Sequence, residues 1–134
     1  ISITEFITDV YENGILLSVN HTRTVNGSER AHNITKRQGN IYKLFRNGEE
    51  QDDFTKPIAV TVSSIYFQEP SSVNEIYSQS HQRLIPVKVI SSHVYELDLP
   101  NSDTTIFHYK NGVLQLVTAH TFWGTVHFKK ENLN

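Results

Sequence analysis

The dipeptide Asn-Gly occurs four times in this chain, at Asn13-Gly14, Asn26-Gly27, Asn47-Gly48 and Asn111-Gly112. A two-residue type I′ turn needs positive φ at both central positions, which asparagine tolerates and glycine adopts freely. Each pair therefore predicts a β-hairpin. Gln38-Gly39-Asn40 carries a weaker form of the same signal, and the turns at 13, 26 and 39 are spaced by thirteen residues. That interval holds one strand of about ten residues plus its turn, at ~3.3 Å per residue. The pattern predicts an all-β fold, an antiparallel meander of consecutive hairpins.

Alternation along the strands refines this. From Ile15 to Val25, one face carries Ile15, Leu17 and Val19, and the other carries Ser18, Asn20, Thr22 and Thr24. In the first strand Ile1, Ile3, Ile7 and Tyr11 share a face, with Phe6 and Val10 opposite. Several strands are partly apolar on both faces. That predicts a strongly curved sheet or half-open β-barrel, a single barrel-like domain over residues 1–134. Simple pairing about Asn111-Gly112 sets Lys110 against Val113 and His108 against Gln115. The segment from Pro57 to Ser80 breaks the pattern: Thr61 or Ser63 is placed to cap a short helix around residues 62–68, and Pro70 to stop it. A continued strand is the alternative there.

Composition narrows the class of function. With 37% apolar and 10% aromatic residues the chain is globular rather than disordered. A net charge of −2 and a pI near 6.4 give no reason to expect nucleic acid. Cysteine is absent, which excludes disulfides, thiolate metal sites and a cysteine nucleophile. Methionine is absent too, so Ile1 is not an initiator, and a strand that begins in mid-pattern predicts a removed signal peptide and earlier strands. No apolar run reaches the ~18 residues of a membrane span.

Seven histidines raise the question of a metal, but no His-x-His occurs, and the expectation is no metal and no cofactor. Glu5 and Asp9 alternate with Ile3, Ile7 and Tyr11, so they form a candidate polar pair on an apolar face. Two inward carboxylates suit proton transfer, with raised pKa values if dry, or simply protect a sheet edge from aggregation. There is no Gly-x-Ser-x-Gly elbow and no phosphate-binding glycine loop. The aromatic concentration of the second half supplies a candidate ligand-binding set: Tyr66, Phe67, Glu69, Tyr77, Tyr109 and Trp123.

Ser64-Ile65-Tyr66-Phe67-Gln68-Glu69-Pro70, Ile76-Tyr77-Ser78, Tyr95-Glu96-Leu97-Asp98-Leu99-Pro100 and Phe107-His108-Tyr109-Lys110-Asn111-Gly112 together form a pattern. It resembles a family of bacterial secreted proteins defined only as a domain of unknown function. The sequence departs from that family at Asn101-Ser102-Asp103, where Asp-Gly is more frequent, and at Gln79, where an acid is usual. The resemblance implies a periplasmic or secreted protein of bacteria such as the Bacteroidetes, with a longer N-terminal half. It also implies a sheet edge open to self-association, and a distant similarity to half-open barrels that carry lipids or lipoproteins between membranes.

The leading expectation is a non-enzymatic, extracytoplasmic module that binds an apolar or lipid-like ligand, or a partner strand. Its rivals are a structural protein that recruits partners, including copies of itself, through an open sheet edge, and a small barrel enzyme using Glu5 and Asp9. No nucleic-acid partner is expected.

Overall fold

In the computed structural model the described residues are 2–100, 104–121 and 124–129. They form eleven strands and one 3₁₀ turn, arranged as two antiparallel sheets. The first sheet holds β1 (Ile3–Glu12), β2 (Ile15–Val25), β3 (Ser28–Gln38), β4 (Ile41–Arg46) and β5 (Glu49–Glu50), in that spatial order. The second holds β6 (Glu75–Ser78), β7 (Arg83–Ser91), β8 (Val94–Asp98), β9 (Thr104–Lys110), β10 (Val113–Thr121) and β11 (Gly124–Lys129), also in sequence order. Both are meanders, as the turn pattern predicts. Neither is a closed barrel, because closure requires the first and last strands of a sheet to pair. Here they remain edges, β1 and β5 in one sheet and β6 and β11 in the other.

All four Asn-Gly pairs form the expected turns. Asn13, Asn26, Asn47 and Asn111 have φ of 51°, 52°, 51° and 53°, and the glycines after them 78°, 81°, 84° and 76°. Three of these hairpins share a further device. After two regular pairs the second strand carries one extra residue, three positions beyond the glycine. Tyr11 pairs Leu16 but Val10 pairs Ser18, so Leu17 is the extra residue. Arg30 plays this part between β2 and β3, and Gln115 between β9 and β10.

These bulges overturn two expectations drawn from strict alternation. Leu17 does not continue the inward series of β2; Leu16, Val19 and His21 are the buried positions, because the extra residue shifts the phase of the strand. Likewise His108 faces Leu116 rather than Gln115.

The helix expected around 62–68 is also corrected, to a single 3₁₀ turn at Ser64–Tyr66. Ser63 precedes it without donating or accepting a side-chain capping bond, and Phe67 and Gln68 both close back onto Ser64 O at 3.1 Å. A nucleus this short, with β-branched and aromatic residues before Pro70, has too few hydrogen bonds to propagate.

The chain divides into two compact units, Ile1–Thr61 with Tyr77–Arg83, and Val62–Ile76 with Leu84–Asn134. In the first, Leu16, Val19, Tyr42, Leu44, Ile58 and Tyr77 form the apolar core. Tyr42 anchors it: its hydroxyl donates to Leu16 O at 2.8 Å, accepts from Ile58 N at 3.3 Å, and its ring packs against Phe54. In the second unit Ile65, Ile85, Tyr95, Leu97, Phe107, Tyr109, Leu114 and Val117 are buried. Each fully buried large side chain contributes about 1.5–3 kcal/mol relative to exposure.

Candidate functional site

Pairing in the first sheet sets Ile7 against His21 and His21 against Asn33, while Asp9 faces Val19 and Val19 faces Thr35. Residues paired across antiparallel strands project from the same face. Glu5, Asp9, His21, Asn33 and Thr35 therefore share one face, and His21, Asn33 and Thr35 are buried. The segment 77–83 of the same unit meets that face. Tyr77 N donates to Val60 O at 2.9 Å, and Tyr77 OH bonds Thr35 Oγ1 at 2.9 Å. Gln82, held in the left-handed region at φ 54°, sends Nε2 to both Ile34 O and Phe45 O at 3.1 Å.

Two polar clusters result. In one, Asp9 Oδ2 accepts from Thr61 Oγ1 and Gln79 Nε2, both at 3.0 Å, and from Tyr11 OH at 3.3 Å. Thr61 and Gln79 are buried, and Asp9 Oδ1 is also buried without a partner among the described residues. In the other, Asn33 Nδ2 lies 3.1 Å from His21 Nδ1 and donates to Ser80 O at 3.3 Å. An amide NH₂ can only donate, so Nδ1 accepts and the ring proton sits on Nε2. That nitrogen faces Glu5 Oε1 at 3.5 Å. His21 is thus a satisfied core histidine.

The electrostatics run against acid catalysis by Glu5. The hydrogen bond from His21 outweighs partial burial and, with the charges of Arg23 and His81, holds the Glu5 carboxyl below its ordinary 4.5. A general acid needs the opposite shift. His81, close to Ser78 Oγ at 3.0 Å and Ser80 Oγ at 3.1 Å, is pushed below 6.5 by burial first and then by Arg46. No group of three or more His, Cys, Asp or Glu among the described residues is arranged to hold a metal.

The second unit carries its own carboxylate centre. Glu69 Oε2 accepts from His93 Nδ1 at 2.8 Å and from the hydroxyl of buried Tyr95. His93 sits at φ 63° in the β7–β8 turn, and its carbonyl accepts from Tyr109 N at 2.9 Å. Tyr109 OH in turn donates to Ile65 O, which ties the 3₁₀ turn to β9. Burial and the neighbouring carboxylate raise the Tyr95 phenol to about 12.

The hydrogen bond from Tyr95, then the contact with His93, hold Glu69 below 4.5 against desolvation. A carboxylate with a lowered folded pKa adds stability that is complete above its unfolded pKa and disappears as pH falls through the folded value. Wild type is therefore expected to exceed Glu69→Gln in stability at neutral pH, and the gap to close on acidification below about pH 4.5. Paired urea titrations across that range measure it. A gap independent of pH would contradict the account.

Of the sequence-derived ligand set, Tyr66, Phe67, Glu69 and Tyr109 belong to the second unit, where Tyr95 joins Glu69 by its hydroxyl and Tyr109 by its ring, with centroids 5.6 Å apart. Tyr66 is exposed and packs edge-on against Phe107 with ring centroids 5.4 Å apart. Phe67 is 90% exposed. Glu69 and Tyr109 are bound as described above. Tyr77 belongs to the first unit, is fully buried, and has its phenol raised to about 12 by desolvation. Trp123 lies outside the described residues, as do Asn101-Ser102-Asp103. Glu5 and Asp9 share a face as expected, but each serves a different set of partners.

Sequence comparison bears on the whole of this architecture. The family described as Domain of unknown function (DUF6134) matches residues 1–131. The chain belongs to this family. No curated protein and no solved structure matches it. The DUF6134 match covers both units, including β1 with Glu5 and Asp9, the Tyr66–Glu69 segment and the Asn111-Gly112 hairpin. No helix among the described residues is long and apolar enough to cross a membrane.

Proposed function

We propose that this chain is a non-enzymatic binding module of the bacterial envelope, periplasmic or secreted, whose first strand takes up a partner strand. One observation carries the reading. β1 is an edge strand of ten residues, and its Ile3, Phe6, Ile7, Val10 and Tyr11 are 55%, 67%, 36%, 46% and 38% exposed. Ile3 and Ile7 lie on one face and Phe6 and Val10 on the other. A strand apolar on both faces has the composition of a sheet interior. Placed at an edge, it is a template for strand addition, with backbone hydrogen bonds giving affinity and alternate side chains giving specificity. Glu5, Asp9 and Glu12 are the charges of β1, and it has no Lys or Arg. Pairing with a second copy gathers like charges, so a partner strand bearing cations fits better. The carboxylates themselves act as acceptors for internal partners, which supports binding over catalysis.

A second reading, an apolar or lipid-like ligand, is favoured by a separate patch: Tyr66 and Phe67 of the second unit present exposed rings beside Glu69. A benzophenone amino acid placed at Phe6 or at Phe67, photolysed in the native host, separates the two. A polypeptide adduct at position 6 is expected. Lipid adducts at position 67 alone, matched by lipid in extracts of the purified protein, would replace the first reading with the second. Adducts at neither would sink both.

A further inference from the structure

Although the four Asn-Gly turns have the same backbone, their asparagine side chains are in two different situations. Asn26 is clamped to the strand beside its hairpin: Ser2 N donates to Asn26 Oδ1 at 2.9 Å, and Asn26 N donates to Ser2 O at 2.7 Å. Asn47 repeats the arrangement one hairpin further on. His32 N donates to its Oδ1 at 2.8 Å, and Asn47 N donates to His32 O at 2.7 Å. Asn13 and Asn111 are exposed at hairpin tips, and no such side-chain clamp joins them to the described residues. In every case the following glycine has open space where a Cβ would stand.

From this contrast we propose that Asn13 and Asn111 are sites of spontaneous covalent modification to aspartate and isoaspartate, and that the clamps protect Asn26 and Asn47. The chemistry needs only water and hydroxide. Hydroxide removes the glycine amide proton, and the glycine nitrogen attacks the asparagine Cγ. A C–N bond forms, the Cγ–Nδ2 bond breaks, and ammonia departs to leave a succinimide. Water then opens the ring at either carbonyl. Opening at the side-chain carbonyl gives aspartate; opening at the main-chain carbonyl gives isoaspartate, with one extra methylene in the backbone.

To reach the attacking geometry, Cγ must swing toward the next residue's nitrogen. In Asn26 and Asn47 that swing breaks the bond from Ser2 N or His32 N to Oδ1. In Asn13 and Asn111 it breaks none. Loss of one net hydrogen bond on the way to the transition state corresponds to about a tenfold slower reaction. Conversion of both unclamped sites takes the net charge from −2 to −4, one charge for each amide lost. Isoaspartate also lengthens a turn whose geometry depends on two adjacent residues at positive φ.

Peptide mapping by mass spectrometry tests this on the intact chain incubated in mildly alkaline buffer, with isoaspartyl methyltransferase labelling to mark the isomer. Asn13 and Asn111 are expected to convert about tenfold faster than Asn26 and Asn47. In concentrated urea the four rates are expected to converge. Ser2→Pro removes one clamp donor while keeping the Ser2 carbonyl, and should bring Asn26 up to the rate of Asn13 with Asn47 unchanged. Equal rates in the folded chain would overturn the proposal, as would an order that persists in urea or a Ser2→Pro chain in which Asn26 stays slow.

Discussion

Asp9→Ala is expected to lower the stability of the first unit by about 2–3 kcal/mol, well beyond what a surface substitution costs. The substitution takes away one acceptor shared by three donors, of which Gln79 Nε2 belongs to a buried side chain. Water cannot replace the carboxylate for a group so enclosed, and an unsatisfied buried donor retains its full desolvation penalty. Asp9→Asn keeps an acceptor oxygen at the same place and should lose about 1 kcal/mol. Glu12→Ala, on the exposed end of the same strand, should fall within about 0.5 kcal/mol of wild type. Urea unfolding with an unchanged m-value provides the measurement. If Asp9→Ala were no worse than Glu12→Ala, the carboxylate would not organise the segment laid across the sheet.

The second large effect belongs to the other unit. Phe107 is 1% exposed, pairs with Tyr95 on one side and Val117 on the other, and receives the edge of Tyr66. Phe107→Ala is expected to cost about 3–5 kcal/mol, the lost transfer energy plus the cavity left among side chains that relax only in part. Val113→Ala in the adjoining strand, where the side chain is exposed, is the control and should change stability by about 0.5 kcal/mol or less. Thermal unfolding together with amide exchange along β9 reads both. Protection of β9 unchanged in Phe107→Ala would contradict the packing described.

The parts of this fold that are local in sequence were legible before the structure. Asn-Gly has one favoured hairpin geometry, so the four turns, the meander order and the antiparallel class follow from dipeptides alone. The phase of the strands did not follow. Leu16 and Leu17 are equally apolar, and only the extra residue at Leu17 decides which of them is buried. The short helix failed for a related reason: Ser63 is a good capping residue type, but its side chain makes no capping bond.

The candidate site was half legible. Alternation placed Glu5 and Asp9 on a common face. Their partners were invisible because they are not periodic: Gln79 is 70 residues from Asp9 and Thr61 is 52. His21 and Asn33 are polar residues at inward strand positions, which is the one sequence signal that pointed to them. Plain alternation from Val19 already puts His21 on the inward face.

The three bulged hairpins have a consequence for how this chain can change length. Leu17, Arg30 and Gln115 stand at the same distance from their turns, so each hairpin tip is the same small cassette: turn, two rungs, one surplus residue. Deleting the surplus residue leaves every other pair in its present register, so in β2 Leu16, Val19 and His21 keep facing inward and only the local bend and added twist of the bulge are lost. Exchanging one whole cassette for another preserves the reading frame of both strands. Loss of the surplus residue alone therefore straightens a strand without inverting it, whereas the turn glycines at positive φ and buried Leu16 hold each tip to its residue types.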